Sequence, residues 1–438
     1  MTRSAARTGA ALGLVALCSL VVLARQTRPI DGSDAPQWRA PSSDRALAAP
    51  GLLEGDQVPD IIVGPGTGGV VTHVLDGATL AELGGGFPFG GGFGASIRTA
   101  LGDVSGDGVA DIVTAMGPGG SLVKLFDGVT IAEIAAGYPF GAGFGGGVSV
   151  ALGDVNGDGR QDIIVGQASG GGAVRVFSGV DIALLMSVAP FGPGFSGGVN
   201  VAAGDVDGDG RSDLIVGQAS GGTVAVVSAA TQAVIAAGAP YGALAGGVFV
   251  AAGDVTGDGR AEVIAAPGSG TGAVLVYDVA TLSVVGSFVP YAGFTGGVRV
   301  AAGDVTGDGR ADIVVVPGPG RASDLVVFDG VGFAPIRSTA AYPASYTGGA
   351  FVSVTSGTAP RFTSAAATTF VAGTPATFTI TTAGSPPVAQ LAVTGTLPAG
   401  VSFADGGAGT ATLSGAPDAG TGGASRSHCP PPTVSAHP

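Results

Sequence analysis

Lysine is almost missing from this chain. Lys124 is the only one in 438 residues, and charged residues of all kinds make up 11%. With a net charge of −14 and no visible basic patch, the chain lacks the face that neutralises phosphates, which excludes a nucleic-acid binder. Cysteine is nearly as scarce: Cys18 and Cys429 are the two present. Cys18 falls in a leading segment expected to be removed, so no intrachain disulfide can form. An exported chain without one needs another staple, and bound metal is a candidate. Histidine occurs three times, and only His73 lies within the central repeats. With one His, one Lys and no Cys there, general acid–base chemistry has few groups to draw on. Past the first two dozen residues no apolar run is long enough to cross a bilayer. Trp38 is the single tryptophan, and nothing local assigns it a role.

Glycine is what the chain has in excess, 83 residues, beside 45% apolar residues. There is no triplet period, so collagen is excluded. Short strands joined by tight turns remain. Acid is abundant but uneven, because it falls in a repeated stretch, Gly-Asp-Val-x-Gly-Asp-Gly-x-x-Asp/Glu, followed by a short apolar run. Copies begin at Asp103, Asp154, Asp205, Asp254 and Asp304, in steps of 51, 51, 49 and 50 residues, and together hold 16 of the 32 carboxylates. A fixed period near 50 means a propeller, a solenoid or an array.

One unit reads as four strands: Val199–Gly204, Leu214–Gly217, Thr223–Ser228 and Ala233–Ala237, with the acidic loop between the first two. Four short strands per unit with Gly-rich turns predict a propeller blade. First-strand copies start near 96, 147, 198, 247, 297 and 349, and second-strand copies near 60, 111, 162, 213, 262 and 312. The second strand at Asp60–Gly64 has no partner before it, and the first strand at Ala350–Val354 has no loop after it. Pairing the two removes both open ends. The expected fold is therefore all-β: a six-bladed β-propeller of about 50 residues per blade over 51–358, closed by its C-terminal strand. Asp-Gly pairs at 76–77, 127–128 and 329–330 read as two-residue hairpin turns in which the pair supplies positive φ.

The loop places oxygens at alternating positions. Positions 1, 3, 5 and 9 are Asp103, Ser105, Asp107 and Asp111 in the first copy. They are Asp154, Asn156, Asp158 and Asp162 in the second, and Asp205, Asp207, Asp209 and Asp213 in the third. The fourth has Asp254, Thr256, Asp258 and Glu262, and the fifth Asp304, Thr306, Asp308 and Asp312. The position 7 carbonyls, of Val109, Arg160, Arg211, Arg260 and Arg310, are suited to be fifth ligands. Calcium takes six to eight such oxygens, so about five Ca2+ sites are expected, with the Asp205 loop tightest. A degenerate copy near the start keeps Glu54, Asp56 and Asp60, but has Leu52 at position 1 and Gln57 where the glycine belongs. No calcium is expected there. Solvated acidic turns are the alternative throughout.

The unit Phe-Gly…Gly-Asp-Val-x-Gly-Asp-Gly-x-x-Asp-Ile-Ile-Val-Gly, with Phe93-Gly94, Phe144-Gly145 and Gly117-Pro118, resembles the FG-GAP repeat of integrin α-subunit propellers and their bacterial relatives. That resemblance implies a propeller with calcium in the loop between the first and second strands of a blade, at the positions just named. Integrins have seven such blades where this chain shows six. Residues 359–423 resemble the Ig-like (He_PIG) module of bacterial surface proteins, through Leu397-Pro-Ala-Gly400 and Gly409-Thr-Ala-Thr-Leu-Ser-Gly415. This predicts a small, incomplete β-sandwich lacking an edge strand.

Residues 1–24 read as a secretory signal, with an uncleaved anchor as the alternative. Residues 25–50 read as a flexible linker and 424–438 as a disordered tail. The whole describes a secreted or cell-surface monomer: a calcium-binding, non-catalytic scaffold for adhesion or for an extracellular protein or glycan, with no membrane span after signal cleavage. A lectin is the first alternative, with stacking platforms among Phe87, Phe89, Phe93, Tyr138, Phe140, Phe144, Phe191, Phe195, Tyr241, Tyr291 and Phe294; blade packing explains the same residues. A polysaccharide-active enzyme is the second, with Glu82, Glu133 and Asp181 as carboxylates, although each sits near a hairpin where solvation explains it.

Overall fold

The computed structural model describes residues 37–39, 58–68, 71–242 and 246–355, and in the C-terminal part 361–362, 364, 368–383, 391, 393, 397–407 and 410–418. The leading segment, the C-terminal tail, both cysteines and the degenerate-loop residues Leu52, Glu54, Asp56 and Gln57 lie outside them. No helix occurs among the described residues. Between residues 61 and 354 the strands form six antiparallel sheets.

The representative unit consists of Val199–Gly204, Asp213–Gln218, Val224–Val227 and Val234–Gly238, paired in that order. The apolar second strand is buried on both faces, with Leu214, Ile215 and Val216 fully inaccessible. Burial fades outward, and Val234 and Ile235 on the fourth strand are exposed. Hydrophobic clusters lie between neighbouring sheets rather than within one: Ile164 and Val176 of one pack with Leu214 and Val216 of the next. No sheet could bury its own face alone.

The first strands are Ile97–Gly102, Val148–Gly153, Val199–Gly204, Val248–Gly253, Val298–Gly303 and Ala350–Val354. Each contacts the next, and the last returns to the first, so they form a closed ring. Ala350–Val354 pairs antiparallel with Ile61–Pro65, the pairing that the two leftover strands predict. The buried Tyr342 fastens this seam, its hydroxyl 3.1 Å from the Val63 carbonyl and 2.9 Å from that of Val71. Tyr241 and Tyr291 make the same two-carbonyl contact at earlier seams.

Three details depart from the sequence reading. The Asp-Gly turns are not two-residue turns. Asp76 N–H donates to the Ala81 carbonyl, and the left-handed residue is Leu80 at φ 60°, not the glycine. Gly77 is required for another reason: a Cβ there would sit 1.9 Å from the Pro59 carbonyl oxygen. Within the segment read as a linker, Gln37–Arg39 adds a fifth strand to the outer edge of Glu133–Tyr138, with Trp38 opposite Gly137. Edge addition rests on backbone hydrogen bonds, which leave no side-chain signal to read. Glu133 is not a solvated hairpin carboxylate either: it is buried and 2.9 Å from the buried ammonium of Lys124.

Beyond the ring, Arg361–Phe362, Ala376–Ala383, Thr410–Gly415 and Val401–Gly407 form one further sheet in that order. Its apolar cluster is small, around Ile380, Leu391 and Ala411. The second sheet that a sandwich needs is absent among the described residues.

Candidate metal-binding loops

Each acidic loop follows the C-terminal end of a first strand and turns the chain into the second. Position 1 folds the loop around itself. Asp205 Oδ1 accepts from the N–H groups of Gly208 (2.7 Å) and Asp209 (3.2 Å), and Oδ2 from that of Gly210 (2.8 Å). The same three bonds recur at Asp103, Asp154, Asp254 and Asp304. Gly208 and Gly210 stand at φ 80° and 86°, where a Cβ would be strained. The sequence reading singled out the second of these glycines and missed the first. Position 5 accepts from the N–H of position 7 at 2.9 Å in all five loops.

The loops are also chained together. The position 1 carbonyls of Asp103, Asp154, Asp205 and Asp254 accept from the position 8 N–H groups of Gln161, Ser212, Ala261 and Ala311 in the following loop.

Position 9 behaves differently from the other ligand candidates. Asp111, Asp162, Asp213 and Asp312 are buried at the foot of the loop. Their Oδ1 atoms accept from the hairpin N–H groups of Gly128, Gly179, Ala229 and Gly330, and their Oδ2 atoms from loop N–H groups such as that of Val206. Burial pushes all four carboxyls up to about 6, opposed by these backbone hydrogen bonds. Glu262 is raised as well, chiefly by burial. Its hairpin carries Val279 where the others have Gly or Ala, and its Oε1 receives the Thr256 hydroxyl at 3.1 Å instead. Position 9 therefore bolts the loop to its own blade whether or not it ligates.

Asp205, Asp207 and Asp209 each bring a carboxylate oxygen within 4.8 Å of the other two. This is the loop ranked tightest from sequence. The structure gathers those three and leaves Asp213 beneath them. In the second loop the Asn156 amide stands 2.9 Å from Asp158 Oδ2 and 3.5 Å from Asp162 Oδ1, so positions 3, 5 and 9 converge. In the first, Ser105 Oγ is shielded from solvent with no hydrogen-bond partner. Among the described residues no loop carboxylate takes part in a salt bridge. The donors are all hard oxygens, and that set fits a hard divalent cation.

Of the aromatic residues considered as platforms, Phe140 and Tyr291 are buried, Phe87 is exposed and the rest are half-buried. Of the carboxylates considered for catalysis, Glu82 pairs with His73 at 2.7 Å and Asp181 accepts from the Ala183 N–H.

No curated protein matches the chain. The solved structures that resemble it include three at low identity and TM-scores below 0.5. A protein of unknown function from Bacteroides caccae has 10% identity and TM-score 0.43, with 68% of this chain and 99% of that one covered. Dihydro-heme d1 dehydrogenase NirN has 15% identity and TM-score 0.36, with 78% and 86% covered. Sqt1 of Saccharomyces cerevisiae has 11% identity and TM-score 0.41, with 88% and 100% covered. No helix among the described residues is long and apolar enough to cross a membrane. Residues 154–216 and 236–315 match the FG-GAP-like repeat, so the chain carries FG-GAP-like repeats in an all-β, propeller-like array of four-stranded sheets.

Proposed function

We propose that the chain is a secreted, six-bladed, calcium-stapled FG-GAP scaffold that binds an extracellular partner and carries no catalysis of its own. The observation that carries this reading is the convergence of Asp205, Asp207 and Asp209 without a salt bridge; among the described residues this gathering of three carboxylates is found in the third loop, and the other four share its backbone fold. Side chains at positions 1, 3 and 5 and the carbonyl at position 7 would hold the ion, with position 9 ligating or bracing from below. The ion would neutralise carboxylates that otherwise repel and would fix the loops linking one blade to the next. The non-catalytic reading is supported by the engagement of two candidate acid–base side chains of the ring, His73 with Glu82 and Lys124 with Glu133. Burial of Tyr291 and engagement of the Tyr241 hydroxyl remove two of the platforms a lectin would use.

Calorimetric titration of calcium into the full chain, with magnesium as control, tests the reading. Saturable calcium-selective binding at several sites is expected, with the Asp205 loop filling first. Absence of calcium heat, or equal response to magnesium, would sink the metal role. Turnover of a polysaccharide by the purified chain would sink the non-catalytic one.

A further inference from the structure

The second residue of each first strand points to the axis of the ring. These residues are Arg98, Ser149, Asn200, Phe249, Arg299 and Phe351. They meet across it: Arg98 Nη1 donates to Asn200 Oδ1 at 2.8 Å, although their sheets are not neighbours. Phe249 and Phe351, also two sheets apart, contact edge to face at 5.9 Å. Both guanidiniums lie against the same Phe351 ring, at 4.8 and 5.5 Å from its centroid, and Arg299 also lies over Phe249 at 4.6 Å.

Two like charges are thus gathered on the axis of a protein whose net charge is −14. Neither has a salt bridge among the described residues. The Nε atoms of both are shielded from solvent and have no hydrogen-bond partner. Burial pulls both guanidiniums down to about 10, with neighbouring Arg98 a smaller contributor at Arg299, so both remain charged at neutral pH. An arginine has five donors; here Arg98 donates to Asn200, and Arg299 to the Gly296 carbonyl at 3.3 Å. Stacking on a ring leaves the guanidinium edge open, and that edge matches the geometry of an oxyanion. The acidic loops begin five residues on, at the opposite ends of the same strands, roughly 16 Å away, and do not fill the need.

We propose that this end of the axis is an anion site, in which Arg98 and Arg299 together hold one small oxyanion against Phe249 and Phe351. The ligand class is a sulfate, phosphate or carboxylate group. The site is separate from the metal loops and stands whether or not they bind calcium.

Sulfate is a suitable probe because it stays soluble beside calcium at low concentration. The experiment is calorimetric titration of sulfate into the full chain, with ionic strength balanced by chloride and calcium held constant. One saturable site per chain is expected, weakened at least tenfold by Arg98→Met or by Arg299→Met. Arg175→Met, at a guanidinium stacked on Phe140 away from the axis, should leave it unchanged. Arg299→Lys keeps the charge without the fork and should fall between. In sulfate-free buffer Arg299→Met should melt no lower than wild type, because it removes a buried charge with no counter-ion. That result separates lost binding from lost fold. Absence of a saturable site, or undiminished affinity in the Arg98→Met/Arg299→Met double variant, would overturn the proposal. Acetate and phosphate titrations then show which oxyanion fits best.

Discussion

Position 3 of the third loop is where metal binding and loop folding can be pulled apart. Asp205 cannot serve, because it receives three backbone N–H groups. At about 1 kcal/mol per bond, its loss would cost roughly 3 kcal/mol without any metal. Asp207 receives one, from Asp209 at 3.1 Å, and is exposed. Asp207→Ala should therefore cost at most about 0.5–1 kcal/mol in EDTA, since losing that bond is offset by relief of repulsion from Asp205 and Asp209. In calcium it also forfeits the site. A ligand present at 100 times its Kd contributes about 2.7 kcal/mol. With ~2.1 cal/mol/K of unfolding entropy per residue over roughly 300 residues of ring, that increment corresponds to about 4 °C. The assay is a thermal melt of wild type and variant, each in EDTA and in calcium. The expected result is a small difference in EDTA that widens by about 4 °C in calcium. An equal difference in both buffers would refute the reasoning, leaving Asp207 as a turn residue and the cluster as solvated acid.

The buried position 9 carboxyls give the metal-free protein an unusual pH response. Asp111, Asp162, Asp213 and Asp312 stand at about 6 when folded, against about 3.9 when unfolded. The folded state binds those protons more tightly, so stability rises as pH falls from 7 through 6 and is lost again as pH rises. In EDTA the melting midpoint should climb between pH 7 and pH 5, while the increment from calcium shrinks as protons compete. A steady fall of the EDTA midpoint over that range would contradict this. At the closing seam, Tyr342→Phe should cost about 1 kcal/mol by denaturant titration, and Tyr342→Ala about 3–5. Equal costs would refute this, because they would mean that the hydroxyl contacts carry the whole effect and the buried ring none of it. Lys124→Met should destabilise by about 3–5 kcal/mol, because it leaves the Glu133 carboxylate buried without its cation, and Glu133→Leu in the same chain should recover most of it. No recovery would mean that Lys124 acts through packing alone.

The strand plan was legible because it is written six times. A four-residue apolar run after each acidic loop fixes the second strand, and the first strands begin within one residue of where the repeat puts them. Closure was legible from two unpaired leftovers. The double life of position 9 was not, since a carboxylate that ligates and one that anchors a hairpin look the same in a motif. Gly330 was misread for a related reason: its need is the Ala311 carbonyl, 2.2 Å from where a Cβ would stand, and that neighbour belongs to another turn. The axial arginines were invisible because each occupies an ordinary alternating strand position. Only the closed ring shows that such positions on different blades meet.

The seam between Ile61–Pro65 and Ala350–Val354 also sets the order of events in making this molecule. Tyr342 and Val63 are 279 positions apart, so the first blade cannot be completed until nearly all of the ring has emerged. Until then Ile61–Pro65 presents an apolar strand with one bare edge, the form most open to pairing with another chain. The join also means that the two ends of the ring lie side by side. A permuted chain, opened in a turn between two other blades and linked across the present seam, would make that pairing local. It should reach the same sheets faster, since closing a short loop costs less entropy than closing a long one.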